Sequence, residues 1–146
     1  MDNLLFKYNL QKINLVFYEF NIRVKEPNKS IQLNQYANSL FTSFSIDSPT
    51  LEDKKGVFVF IIDDVVIYVG KTDTSLKKVI QGTYGKIVPR NLHSDGQLTA
   101  CKLNSFLNQN HDKNIELWFI ACDNKDKSKQ IKKELIVEYK PIINQR

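Results

Sequence analysis

The chain has 146 residues, 42% hydrophobic and 25% charged, a size and composition that suit one compact domain and exclude a fibrous or wholly disordered protein. Nine Phe, six Tyr and one Trp supply large apolar side chains for a core, whereas five Gly and four Pro are too few for a linker. The formal net charge is +5, and 14 of the 21 basic residues follow Lys55, so a phosphate-bearing partner is expected.

No apolar run approaches the roughly 18 residues that cross a bilayer. The start, Met1-Asp2-Asn3-Leu4-Leu5-Phe6, lacks the basic lead and long apolar stretch of a signal peptide. Cys101 and Cys122 form no Cys-x-x-Cys pair, which argues against a structural zinc and for two small fillers in a reducing compartment. A cytoplasmic protein with no membrane contact is expected.

Along residues 13–24, Val16, Tyr18, Phe20, Ile22 and Val24 recur at every second position, the period of a half-buried strand. Pro27-Asn28 breaks it. Leu33, Tyr36, Ala37, Leu40, Phe41 and Phe44 then follow helical spacing, with Asn28 or Ser30 available as an N-cap. Residues 1–55 are therefore predicted to be an N-terminal extension of strand, helix and polar connector containing Pro49.

Gly56-Val57-Phe58-Val59-Phe60-Ile61-Ile62 and Val65-Val66-Ile67-Tyr68-Val69 are two β-rich apolar runs around an Asp63-Asp64 turn, the pattern of a hairpin buried on both faces. Thr74 or Ser75 can cap a short helix carrying Leu76, Val79 and Ile80, which Gly82 is expected to end. Residues 85–96 read as a loop, and Leu98, Cys101, Phe106 and Leu107 as a helix. A third strand over 115–122 and a last helix over 125–139, stopped by Pro141, complete the order.

The first hairpin strand Gly56-Val57-Phe58, the second with Ile67-Tyr68-Val69-Gly70-Lys71-Thr72, and the ending Tyr139-Lys140-Pro141-Ile142-Ile143-Asn144 together resemble the GIY-YIG nuclease superfamily, most closely its restriction-endonuclease members. The resemblance covers residues 56–144. It implies an α/β domain with a small three-stranded antiparallel sheet flanked by helices over 56–146. It also implies a phosphodiester-cleaving site made of a tyrosine on each hairpin strand, an arginine on the first helix, a metal-binding glutamate on the last helix and a closing asparagine. Such a list suits the reaction, which needs a base for water, a cation to neutralise developing charge and a positive group beside the non-bridging oxygens.

Carried onto this chain, the set is eroded. The first tyrosine falls on Phe58, which has no hydroxyl, and the second is kept as Tyr68. The arginine falls on Lys78, or on Lys77 one residue earlier, and an amine lacks the planar fork that grips two oxygens. Asn144 matches the closing asparagine. The glutamate, twelve residues before it in the family, falls on Lys132. With Ile131 at zero and about 100° per residue, the inward arc of the last helix centres near 70°; Lys132 falls near 100° and Glu134 near 300°, on the other side with Glu138.

Lys132 in that place opposes Mg²⁺ and could hold a phosphate by itself. Lys71 could reach a phosphate or act as an acid or base, or simply lie exposed in a polar loop. Tyr68 could equally be a packed strand residue, Asp73 an ordinary loop residue, and Tyr84 an assisting group near the site. His93 and His111 stand without ligand partners at suitable spacing and read as solvated. Lys77, Lys86, Arg90, Lys129 and Lys133 are candidate DNA-backbone contacts, although the basic run over 125–133 also fits a solubilising helix face.

Three functions follow. The first is a DNA-directed protein of a restriction, repair or mobile-element setting that binds phosphates through Lys71, Lys78 and Lys132, has no metal, and cleaves weakly or not at all. The second is an active Mg²⁺-dependent endonuclease using Tyr68, Lys71 and a carboxylate such as Glu134 or Asp73. The third is an inhibitor or accessory protein, with a partner or a second copy held through residues 1–50.

Overall fold

The computed structural model describes residues 7–145, so the opening Met1–Phe6 considered above lies outside the described residues. Among the described residues there are six strands: β1 (Gln11–Ile13), β2 (Leu15–Arg23), β3 (Leu40–Ile46), β4 (Gly56–Ile62), β5 (Val65–Thr72) and β6 (Ile115–Ala121). Three α-helices accompany them: the short α1 (Leu76–Val79), α2 (Leu98–Gln109) and α3 (Lys125–Tyr139). Among the described residues no helix is long and apolar enough to cross a membrane.

The main sheet is antiparallel in the order β1-β6-β4-β5, and β2 pairs antiparallel with β3 in a separate two-stranded ribbon. The β4–β5 hairpin turns at Asp63 and Asp64, whose φ values of 47° and 65° are those of the tight turn that matches strand twist. Strand β4 is buried along its whole length because alternate residues enter two cores. Phe58, Phe60 and Ile62 pack with Phe44, Ile80 and Leu103, whereas Val57, Val59 and Ile61 pack with Ile131 and Leu135 of α3. One face of the sheet is thus closed by α2 and the ribbon, the other by α3.

Several expectations are corrected. The helix predicted from Leu33, Tyr36, Leu40, Phe41 and Phe44 is absent: the chain turns through 35–39 and enters strand β3. Phe41, Thr42, Phe44, Ser45 and Ile46 are all buried, so both faces of β3 are covered and the period-2 alternation that marks a strand is lost. Residues 13–24 hold not one strand but the end of β1, a break at Asn14, and β2. The main sheet has four strands rather than three, because β1 adds to the free edge of β6 with Gln11 opposite Phe119 and Ile13 opposite Leu117. The α-helix after Ser75 stops at Val79 and widens into a π-turn over Ile80–Tyr84, past the glycine expected to end it. The stretch taken as a loop contains a 3₁₀ turn at Pro89–Leu92.

Candidate functional site

The β5 strand, the middle of α3, the 3₁₀ turn after it and the start of α2 meet around a cleft of about 630 Å³, lined by Tyr68, Lys132, Asn144 and Lys102 among others. Each is placed by local structure. Tyr68 lies on β5 opposite Phe60. Lys132 follows the buried Ile131 on the inward side of α3. That helix ends at Lys140, left-handed at φ 46°, whose N–H donates to the Ile136 carbonyl at 2.8 Å. Pro141 and a 3₁₀ turn then return the chain to the sheet, where Asn144 reaches β5.

Asn144 behaves as a one-residue strand. Its Oδ1 accepts from the Val69 N–H at 2.8 Å and its Nδ2 donates to the Val69 carbonyl at 2.9 Å, satisfying the outer edge of the sheet. Tyr68 and Tyr84 share a hydroxyl–hydroxyl hydrogen bond of 2.8 Å in a buried setting. Burial first, and the neighbouring Tyr84 second, raise the Tyr68 pKa well above its ordinary value, and burial raises that of Tyr84. Both phenols therefore keep their protons at neutral pH; they can hold a hydrogen bond but cannot take a proton from water. The π-turn is what carries the Tyr84 ring inward to this partner.

Phe58 is fully buried, with its ring 5.8 Å from that of Tyr84 and 6.1 Å from that of Tyr68. Gly70 is required beneath it, since a Cβ there would stand 2.4 Å from Phe58 Cζ. The glycine of the second motif thus serves the ring on the neighbouring strand.

Of the cationic groups, Lys132 and Lys102 line the cleft, whereas Lys71 does not. Lys132 has no ion pair or side-chain hydrogen bond among the described residues, and burial, followed by the charge of Lys71, holds its pKa below the usual lysine value. Lys71 is 20% exposed and binds Asp73 with both carboxylate oxygens, at 3.0 and 2.9 Å. The same Asp73 lies 3.9 Å from Lys125, and Lys71 above all, with weaker help from Lys125 and Lys55, holds its carboxyl below the usual range. Lys102, which no motif marked, donates to the Gln145 carbonyl at 2.9 Å from the first turns of α2.

Other candidates lie apart. Lys78 is exposed on α1, and Lys77 pairs with Glu52 at 3.7 Å. Lys86 lines a different groove with Glu19 and Phe41, Lys133 lines one with Glu134 and Glu138, and Arg90 and Lys129 are exposed. Glu134 points away from the cleft and is engaged by the Tyr8 hydroxyl and by Gln130. His93 is bonded to Glu26, and His111 stacks on Phe20 with centroids 4.6 Å apart. Residues that sequence reasoning missed include Asn104, fully buried, whose amide bonds the Thr42 N–H, the Thr42 carbonyl and the Tyr84 carbonyl. Gln35 and Tyr36, from the turn before β3, form the rim of the cleft.

The cleft lining does not fit a divalent cation. Its polar groups are amines, amides and hydroxyls with no carboxylate among them, and no group of three or more His, Cys, Asp or Glu suited to a metal occurs among the described residues. What the arrangement can do is hold an anion against two ammonium groups and several amides. Compared with protein-family models, curated proteins and solved structures, the chain matches none.

Proposed function

We propose that the protein is a DNA-directed member of the GIY-YIG superfamily that binds backbone phosphates at this cleft without metal-dependent cleavage. The observation that carries the reading is the half-buried Lys132 ammonium, which shares the cleft with Tyr68 and Asn144, has no counter-ion among the described residues, and stands where the resemblance implies a metal carboxylate. An unpaired, partly desolvated cation gains most from an anion that replaces its lost water. Lys102 adds a second amine to the cleft, Lys71 is near enough for its charge to act on Lys132 and would bind a phosphate by exchanging it for Asp73, and Lys78 is exposed on α1. The antiparallel β6-β4-β5 arrangement, with Tyr68 and Asn144 joined to one strand, supports the resemblance.

Anisotropy with labelled duplex, single-stranded and branched DNA tests this. Three lysine–phosphate contacts give a log–log salt slope of about −3, or roughly fortyfold weaker binding from about 50 to 200 mM salt. Lys71→Glu and Lys132→Glu each lose most of the affinity. Absence of binding to every shape at low salt refutes the proposal. Mg²⁺-dependent plasmid nicking that Tyr68→Phe abolishes refutes the lack of cleavage.

A further inference from the structure

The cleft walls are more varied than a phosphate alone requires. Beside the amines of Lys132 and Lys102 stand the Tyr36 ring, the 45%-exposed Leu98 and the side-chain amide of Gln35, the amide of Asn144 being held by Val69. The Tyr36 hydroxyl has no hydrogen bond among the described residues, although its backbone N–H is fixed at 2.8 Å by the Asn34 side chain. That fixed turn is in turn pinned to the 3₁₀ turn Pro89–Leu92, because the Asn34 N–H donates to the Leu92 carbonyl at 2.7 Å. The rim supplied by the N-terminal extension is therefore held in place.

We propose that the cleft is a site for one nucleotide unit, with the phosphate on Lys132 and Lys102 and an unpaired base against Tyr36 and Leu98. The proposal rests on the phosphate-binding reading for its anion contact and adds the base. Three classes of group converge there: cations for charge, a flat aromatic ring for stacking, and the Gln35 side-chain amide, able both to donate and to accept along a base edge. The volume of about 630 Å³ is within the range of small-ligand sites, generous for a nucleoside monophosphate. A base within an intact duplex has its faces stacked and its edge paired, so the cleft favours a free nucleotide, a strand end or an extruded base.

Calorimetric titration of the whole chain uses four deoxynucleoside 5′-monophosphates, inorganic phosphate, a blunt duplex, and the same duplex with a single-stranded overhang. Expected is saturable nucleotide binding at least about tenfold tighter than phosphate, weakened about tenfold by Tyr36→Ala with phosphate affinity unchanged, and lost together with phosphate in Lys132→Gln. Thermal unfolding of each variant confirms that it is folded. Tighter binding of the overhang than the blunt duplex identifies a strand as the source; tight monophosphate binding with equal duplexes identifies a free nucleotide. Nucleotide binding no tighter than phosphate, or indifferent to Tyr36→Ala, overturns the nucleotide site and leaves DNA-phosphate binding standing. Failure of every ligand overturns both.

Discussion

Asn144 offers a direct separation of scaffold from function. Replacing it with alanine removes two hydrogen bonds, of 2.8 and 2.9 Å, from the backbone of Val69, a residue with no exposed surface. Each such bond contributes about 0.5–1.5 kcal/mol, and a backbone group left in a dry setting adds to the loss, so Asn144→Ala is expected to cost about 2–3 kcal/mol. For a domain of this size that corresponds to roughly 4–12 °C in melting temperature. Asn144→Asp sharpens the test. It keeps the acceptor for the Val69 N–H but turns a carboxylate oxygen toward the Val69 carbonyl, so at neutral pH it recovers little of the loss. Urea unfolding followed by the fluorescence of Trp118 gives the midpoints at fixed slope. An Asn144→Ala midpoint equal to that of the parent, with DNA binding abolished, would refute the strand-like role and place Asn144 on the ligand instead.

Tyr68→Phe and Tyr84→Phe should each destabilise by about 1–2 kcal/mol, because each strands the other buried hydroxyl, while the double variant costs less than the sum; additive losses in urea unfolding would contradict the shared bond. Gly70→Ala should lose about 1–3 kcal/mol through its clash with the Phe58 ring, and Phe58→Leu in the same chain should recover part of it; a Gly70→Ala protein melting like the parent would count against that contact. Lys132 has a folded pKa below its unfolded 10.5, so its cost is fully present below the folded value and fades as pH rises through that value toward 10.5. Lys132→Met should therefore melt higher than the parent at pH near 7 while losing anion binding, with the gap closing in alkali; a lower neutral melting temperature would sink this.

The elements most legible in the sequence are those whose burial is simple. The β4–β5 hairpin shows as two continuous apolar runs because both faces of β4 are covered, and α3 shows its end through Pro141 as stop. Strand β3 fails for a related reason: with Phe41 and Phe44 both buried on a doubly covered strand, their three-residue spacing imitates a helix. That misreading also hides Gln35 and Tyr36, which sit in the turn that replaces the expected helix. Lys132 is legible because the resemblance marks its position and helical phase then sets it beside the inward residues Ile131 and Leu135. Lys102 is not, since it is one exposed-side lysine on an ordinary amphipathic helix, and only the return of the chain past Pro141 brings Gln145 and the cleft to it. Asn104 leaves no trace in a pattern of apolar residues, because its role is to complete backbone hydrogen bonding at the border of β3.

The short strand β1 has a consequence for how the chain assembles. Its three residues lie far in sequence from β6, with Gln11 facing Phe119, so this clasp closes a very long loop and contributes few bonds in return. Until it closes, the backbone at Leu117 and Phe119 is a vacant margin able to recruit the same segment from a neighbouring molecule. The Lys12–Glu116 ion pair, 3.1 Å long, sits at this seam and favours the correct register over a slipped one. The β1–β6 seam is thus the point at which the main sheet is most open to exchange between copies.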